Sequence, residues 1–248
     1  MLREDGASDG VVVLRQGTTT VSYAPVTGVP SMAQVLEASG PDVLAALAAE
    51  LPGWQISVPE QLGRQLVLAG ARMVRHAATM HRDLRREPPP PQWAGQTPQA
   101  PLRLVPCDRP ASALLPAQRQ AYPPGHPDSF DGSDQQLLTE MVQPLLSGRV
   151  LGPVLDFSAL VVDADDQVVA GLVANDFNGT AWIGDVFRRP GAAFAGLGGL
   201  LLRRALALAA AQGWPVMGLA VTVGNTAQQR YEKLGFTTTE TSMKIVVS

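Results

Sequence analysis

The residues of this chain best suited to chemistry are the glycines of the turn Gly196-Leu197-Gly198-Gly199. They fall where a strand-like run ending at Arg188 gives way to a long Leu/Ala-rich stretch. Backbone N–H groups at a helix N-terminus, with no side chains in the way, hold a phosphate or pyrophosphate. Two common phosphate motifs are excluded. Leu201 stands where a dinucleotide fingerprint needs its third glycine, and no Lys-Ser/Thr pair follows Gly199 as a P-loop requires. Taken alone, the turn reads equally well as a packing turn.

The elements around the turn follow from hydrophobic period and turn residues. A strand over Ala181–Arg188 leads into it, and a helix over Gly199–Gln212 leads out and stops at Gly213. Pro215–Val223 is apolar along nearly its whole length, as a strand buried on both faces requires. A last helix, Thr226–Leu234, stops at Gly235, and the Thr/Val-rich tail Phe236–Val247 suits one or two short strands. Upstream lie a strand at Leu102–Val105, a helix at Ala111–Ala121 and a turn-rich loop at Tyr122–Ser133. A helix follows at Asp134–Leu146, capped by Ser133 or Asp134, then two strands around the turn Ala164-Asp165-Asp166-Gln167.

The four consecutive prolines from Pro88 favour extended polyproline geometry, so residues 87–100 are expected to link two units. The expected division is a small α+β unit at 1–86 and a mixed-sheet α/β domain at 101–248. The first unit holds a hairpin at Val11–Tyr23 and then helix, strand, helix and strand-like segments. That order faintly repeats the C-terminal one, with Gly53-Trp54 answering Gly213-Trp214, and chance explains it as well as duplication does. Three roles stay open for this unit: covering an acceptor site, making a subunit contact such as a homodimer, or capping the sheet.

The bulk numbers narrow the classes. With 46% hydrophobic and 17% charged residues, the 248-residue chain can bury a real core. A net charge of −3 offers no basic face, so nucleic acid is not the expected partner. The single cysteine, Cys107, allows no intrachain disulfide and fits a reducing compartment; nothing nearby would activate it. No secretory segment follows the polar start, and Arg203 and Arg204 interrupt the apolar run Leu200–Ala211, so no membrane is expected and the cytoplasm is the default. No His/Cys/Asp cluster has metal-ligand spacing.

Further motifs lie in order around the turn. Ala193-Phe194-Ala195-Gly196-Leu197-Gly198 is followed downstream by Asn225 and by Tyr231-Glu232-Lys233-Leu234-Gly235-Phe236. This ordered set resembles the GNAT superfamily of N-acetyltransferases, over about Leu102–Val247. That family writes its pyrophosphate loop Gln/Arg-x-x-Gly-x-Gly/Ala; Ala193 replaces the leading residue here, and the interval from Asn225 to Tyr231 is one residue short.

The resemblance implies a GNAT-like acyl-CoA N-acyltransferase fold with acetyl-CoA as co-substrate. It implies that the strands Ala181–Arg188 and Pro215–Val223 splay apart around the pantetheine arm. Cofactor contacts are then expected from main-chain groups of Val186, Phe187 and Arg188. The loop Ala193, Phe194, Ala195, Gly196, Leu197, Gly198 and Gly199 would hold the pyrophosphate, its amides from Ala195 to Gly199, with Asn225 and Tyr231 completing the set. Tyr231 takes the acid role toward the departing thiolate. For the base, Asp185 is a candidate if it shares a strand face with Ile183, and His126 is the other. The expected activity is direct transfer of an acetyl group to a primary amine of a small molecule or peptide. A larger acyl group, or a non-catalytic CoA-binding module, are the alternatives.

Overall fold

A computed structural model describes residues 2–5, 10–26 and 30–248. The chain forms two compact units, Met1–Ala78 with Glu240–Ser248, and Thr79–Thr239.

The first unit holds β1 (Leu2–Asp5), β2 (Val12–Gln16), β3 (Thr19–Pro25), β4 (Met32–Ser39), α1 (Val43–Glu50), β5 (Gln55–Pro59), α2 (Glu60–Leu68) and the start of β6 (Arg72–Asp83). The second holds the end of β6, then β7 (Arg103–Pro106), α3 (Ala111–Ala121), α4 (Asp134–Gln136), a π-helical turn (Leu137–Val142) and α5 (Gln143–Leu146). It continues with β8 (Ala159–Val162), β9 (Val168–Phe177), β10 (Thr180–Arg188), α6 (Leu197–Ala211), β11 (Val216–Thr222) and α7 (Ala227–Lys233). The tail is one strand, β12 (Thr237–Val246), whose later residues pair with β5 in the first unit.

In the second unit the strands run β6-β11-β10-β9-β8-β7. The pairs from β7 to β10 are antiparallel, and β10 with β11 is parallel. This is the mixed α/β sheet the sequence implies. On one face α3 packs Leu114 and Ala117 with Leu160, Val162 and Phe187. α6 buries Leu201, Leu202, Ala205, Leu206 and Ala209, a spacing that turns one helical stripe inward. Gly213, at φ +85°, ends it, with Trp214 N–H returning to the Ala209 carbonyl at 3.0 Å.

Two expectations need correction. By length and composition Ala192–Ala211 is apolar enough to cross a membrane, at mean hydropathy 1.5, despite its arginines. Within this stretch α6 turns one stripe, Leu201, Leu202, Ala205, Leu206 and Ala209, into the core. Nor does the proline-rich stretch coincide with the division between units. It lies inside the second unit, where Pro91–Gly95 forms a 3-10 turn against α6. Arg204 donates to the Ala94 carbonyl and Arg203 Nε donates to Gln96 Oε1 at 2.9 Å. Prolines forbid α-helix but suit the start of such a turn, and the two arginines supply the donors that fix it.

The first unit repeats an order seen in the second. In β2-β3-β4-α1-β5-α2 and in β8-β9-β10-α6-β11-α7, two antiparallel pairs precede a parallel one. The third strand carries a bulge in both cases. Leu36 is unpaired between Val35, opposite Tyr23, and Glu37, opposite Ser22; Gly184 is unpaired between Ile183, opposite Ala174, and Asp185, opposite Val173.

Gly218 on β11 pairs with Trp182, and a Cβ there would come within 2.6 Å of the indole and 3.0 Å of His81. Overfilling a packed site costs roughly 1–3 kcal/mol. Gly218→Val is therefore expected to lower the free energy of unfolding by about 2 kcal/mol, measured as a reduced urea midpoint.

Candidate active site

Three features meet where β10 turns into α6. The first is the opening of the sheet. β10 and β11 pair only through Ala181–Met217, Trp182–Gly218 and Ile183–Leu219, although β10 runs on to Arg188 and β11 to Thr222. The bulge at Gly184 begins where the pairing ends, so the implied splay is present.

The second is the start of α6. Gly196 takes the left-handed conformation at φ +82° as the helix cap, and no side chain caps the helix. The amides of Leu197, Gly198 and Gly199 lie in the first turn, which has no intrahelical acceptor to offer them. Nothing lies within 4 Å of a Cβ built on Gly196 or Gly198. A cleft of about 250 Å³ borders this turn, lined by Ala193, Ala195, Gly196, Leu197 and Arg203 among others. Open amides at the positive end of a fifteen-residue helix fit a pyrophosphate. The expected set is one residue too long, however: a 3-10 turn at Ala192–Phe194 uses the Ala195 N–H, which donates to the Ala192 carbonyl at 3.1 Å. The Phe194 N–H is likewise spent on Gly191. The Arg189 side chain, just before the turn, is engaged elsewhere, donating to Gln120 Oε1 at 2.9 Å and lying over the Phe194 ring.

The third is a half-buried polar network. Asp185 Oδ1 accepts from the Tyr122 hydroxyl at 2.8 Å, and Oδ2 accepts from Gln118 Nε2 at 2.6 Å. Burial nevertheless outweighs these donors and raises the Asp185 pKa. Tyr122 also donates to the Val186 carbonyl at 2.9 Å, and burial with the neighbouring Asp185 charge pushes its own pKa well up. A second carboxylate, Asp128, accepts from Thr222 Oγ1 and from Asn225 Nδ2, the latter at 2.6 Å. It thereby ties the loop after α3 to the open end of β11. Tyr231 is 9% exposed, and among the described residues its hydroxyl has no hydrogen-bond partner. Burial, then the charges of Asp185 and Asp128, raise its pKa.

This network revises several sequence expectations. Ile183 and Asp185 do not share a face: they sit opposite Ala174 and Val173, adjacent residues that point to opposite sides of β9. The bulge breaks the period-two count on which the expectation rested. Asp185 turns toward α3 with its oxygens already bonded. Of the three main-chain donors, Arg189 N–H bonds Val169 of β9, so alternation commits Phe187 to β9 and turns Val186 and Arg188 toward the cleft. The Val186 carbonyl is taken by the Tyr122 hydroxyl, while the Val186 and Arg188 N–H groups both face away from β9. Asn225 is also engaged at both ends, since its Oδ1 accepts from the Ala227 N–H at 2.8 Å. His126 Nδ1 accepts from the Asp128 N–H at 3.1 Å, which places the ring proton on Nε2 and leaves no free lone pair for a base. Cys107 is pushed up to about 11 by burial, the reverse of activation. Tyr122 and Asp128 carry no sequence signal of their own; both stand in the turn-rich loop, whose partners lie 63 or more residues away.

Residues 119–236 match the model of the acetyltransferase (GNAT) family. No curated protein matches the chain in sequence. Solved structures share its fold. A GCN5-related N-acetyltransferase from Sphaerobacter thermophilus aligns with a TM-score of 0.62 at 16% identity, over 97% of this chain and 81% of that one. A functionally unknown conserved protein from Staphylococcus epidermidis aligns at 0.58 and 10% identity, over 94% and 92%. A tandem GNAT protein from the clavulanic acid biosynthesis pathway aligns at 0.56 and 15%, over 95% and 81%.

The half-buried carboxylate makes stability depend on pH with a definite sign. A carboxyl whose folded pKa is raised binds its proton more tightly in the folded state, so stability falls as pH rises through that folded value. Asp185→Asn removes that charge and keeps an oxygen for Tyr122. It should unfold at a higher temperature than the parent at neutral pH. The gap should close on acidification below the raised pKa, as followed by circular dichroism.

Proposed function

We propose that this chain, whose residues 119–236 match the acetyltransferase (GNAT) family model, moves an acetyl group from acetyl-CoA to a primary amine by direct attack. The observation that carries the reading is the opening of the β10–β11 pair beside the uncapped start of α6. The start of α6 offers amides for a pyrophosphate, and β10, from which the pair opens, also carries Asp185 with its partner Tyr122.

In this reading the Leu197, Gly198 and Gly199 amides hold the pyrophosphate at the positive helix end. The pantetheine arm lies between the splayed strands. The Arg188 main chain, unclaimed by β9, is the donor aimed at the thioester carbonyl. The amine must attack without its proton. The Tyr122 hydroxyl takes that proton as it passes its own to Asp185, whose raised pKa suits a carboxylate that must hold one. Tyr231 serves the leaving thiolate. Its raised pKa makes full proton transfer harder than for a free phenol, so its hydroxyl stabilises the forming thiolate mainly as a hydrogen-bond donor. The first unit, with matching strand order and bulge, is in this reading a degenerate copy of the same fold.

Two substitutions test the reading. Gly198 has open space around it, so Gly198→Trp should leave the fold intact and fill the phosphate site. Acetyl-CoA binding by calorimetry should be lost; undiminished affinity in the folded variant would remove the site. Tyr231→Phe should lower kcat roughly 10²-fold or more while leaving the Kd of acetyl-CoA unchanged. Turnover at the parent rate would take Tyr231 out of the mechanism.

A further inference from the structure

Arg82 sits where the pattern of its strand calls for an apolar side chain. Along β6, Ala78, Met80, Arg82 and Leu84 are all buried, and Arg82 is 8% exposed. Burying a guanidinium is costly unless its charge is used. Its use is visible. Nη1 donates to the Leu234 carbonyl at the end of α7, and Nη2 donates to the Glu87 carbonyl at 3.1 Å. The guanidinium lies 6.0 Å from the Trp93 ring centre. Gly235, at φ +82°, brings its backbone to the same group: a Cβ there would stand 3.4 Å from Arg82.

α7 has only seven residues, too few to hold a helix without tertiary anchors. Its first turn is fixed by Asn225, which accepts the Ala227 N–H. Its last turn closes on Tyr231, whose carbonyl accepts from Leu234 at 2.9 Å and from Phe236 at 3.0 Å. Arg82 binds the carbonyl of Leu234, so a cation at the negative helix end anchors the turn that carries Tyr231.

We propose that Arg82 is the positioning residue for Tyr231, holding the short helix α7 so that the phenol faces the cleft. Arg82 and the groups it binds, at Glu87 and Leu234, all lie within the second unit. The catalytic readout of this proposal rests on the acetyl-transfer reading; a spectroscopic readout does not.

The chain has three tyrosines, so full-length protein labelled at tyrosine Cζ gives three resonances, with Tyr231 assigned by its loss in Tyr231→Phe. Arg82→Met should shift or broaden the Tyr231 resonance and leave Tyr23 and Tyr122 in place. It should lower kcat about 10- to 100-fold, the scale expected when a catalytic group moves by about 1 Å, with KM for acetyl-CoA unchanged. Arg82→Lys, which keeps one cationic donor, should recover part of both, and it carries the comparison alone if Arg82→Met does not fold. An unmoved Tyr231 resonance with the parent's kcat in either folded variant would overturn the proposal. A moved resonance in a protein that transfers no acetyl group would support the positioning and sink the reaction instead.

Discussion

The site depends on one unpaired residue. Gly184 adds a residue to β10 against β9, and the parallel partner β11 is lost from that point. A regular parallel pair would have its main-chain groups bonded across the gap and no room for a third chain between them. Once the register slips, alternate main-chain groups of β10 face a space instead of a strand. The glycine is suited to this because its Cα stands in tight quarters: a Cβ would lie 2.5 Å from Leu145 and 3.0 Å from Asn175. The bulge also turns Asp185 to the α3 face, where Gln118 and Tyr122 reach it.

The labour is thereby divided between the α3 face of β10 and the end that leads to α6. The α3 face supplies a carboxylate that is half-buried, bonded and still costly to ionise. The α6 end supplies uncapped amides in open space. Neither could exchange places. A charged phosphate needs a solvent-reachable helix end, whereas a group that must hold a proton against its ordinary pKa needs burial. Asp128 completes the arrangement by fixing the loop after α3 to Thr222 and Asn225, at the open end of β11.

Local signals were legible in sequence and long-range ones were not. The glycine turn, the end of α6 at Gly213 and the end of α7 at Gly235 follow from residues adjacent in the chain. The capping box of Ser133 with Gln136 is local too, and it settles which of two candidates caps the helix. The bulge could have been suspected, since a lone glycine inside a strand pattern marks one, yet its effect on Asp185 depends on where β9 pairs. Tyr122 and Asp128 gained their roles from partners far along the chain. β4 escaped notice because Gln34, Glu37 and an exposed Leu36 blur its alternation, Leu36 being the bulged residue itself. The proline run is not α-helical, as composition implies, but it ends in a 3-10 turn and is no spacer, because composition constrains backbone angles without saying which helix will bind the segment.

The first unit shows which part of the architecture is generic. Its third strand bulges at Leu36, and its parallel pair β4–β5 also stops early, after Gln34–Ser57. What differs is the turn into the helix. In the second unit eight residues separate β10 from α6, and two of the glycines there face nothing. In the first, Gly40 leads almost directly into α1, and a Cβ on it would lie 2.5 Å from the Thr19 backbone. Thr19 Oγ1 accepts the Asp42 N–H at 3.1 Å, and the residue is 2% exposed overall. β3 therefore fills the place that the other unit leaves open. A splayed sheet and a helix after the bulge are shared by both units, so they cannot by themselves make an anion site. The length of the turn and the empty space around Gly196 and Gly198 distinguish the second unit's turn from the first's, and they are what the proposed anion site requires.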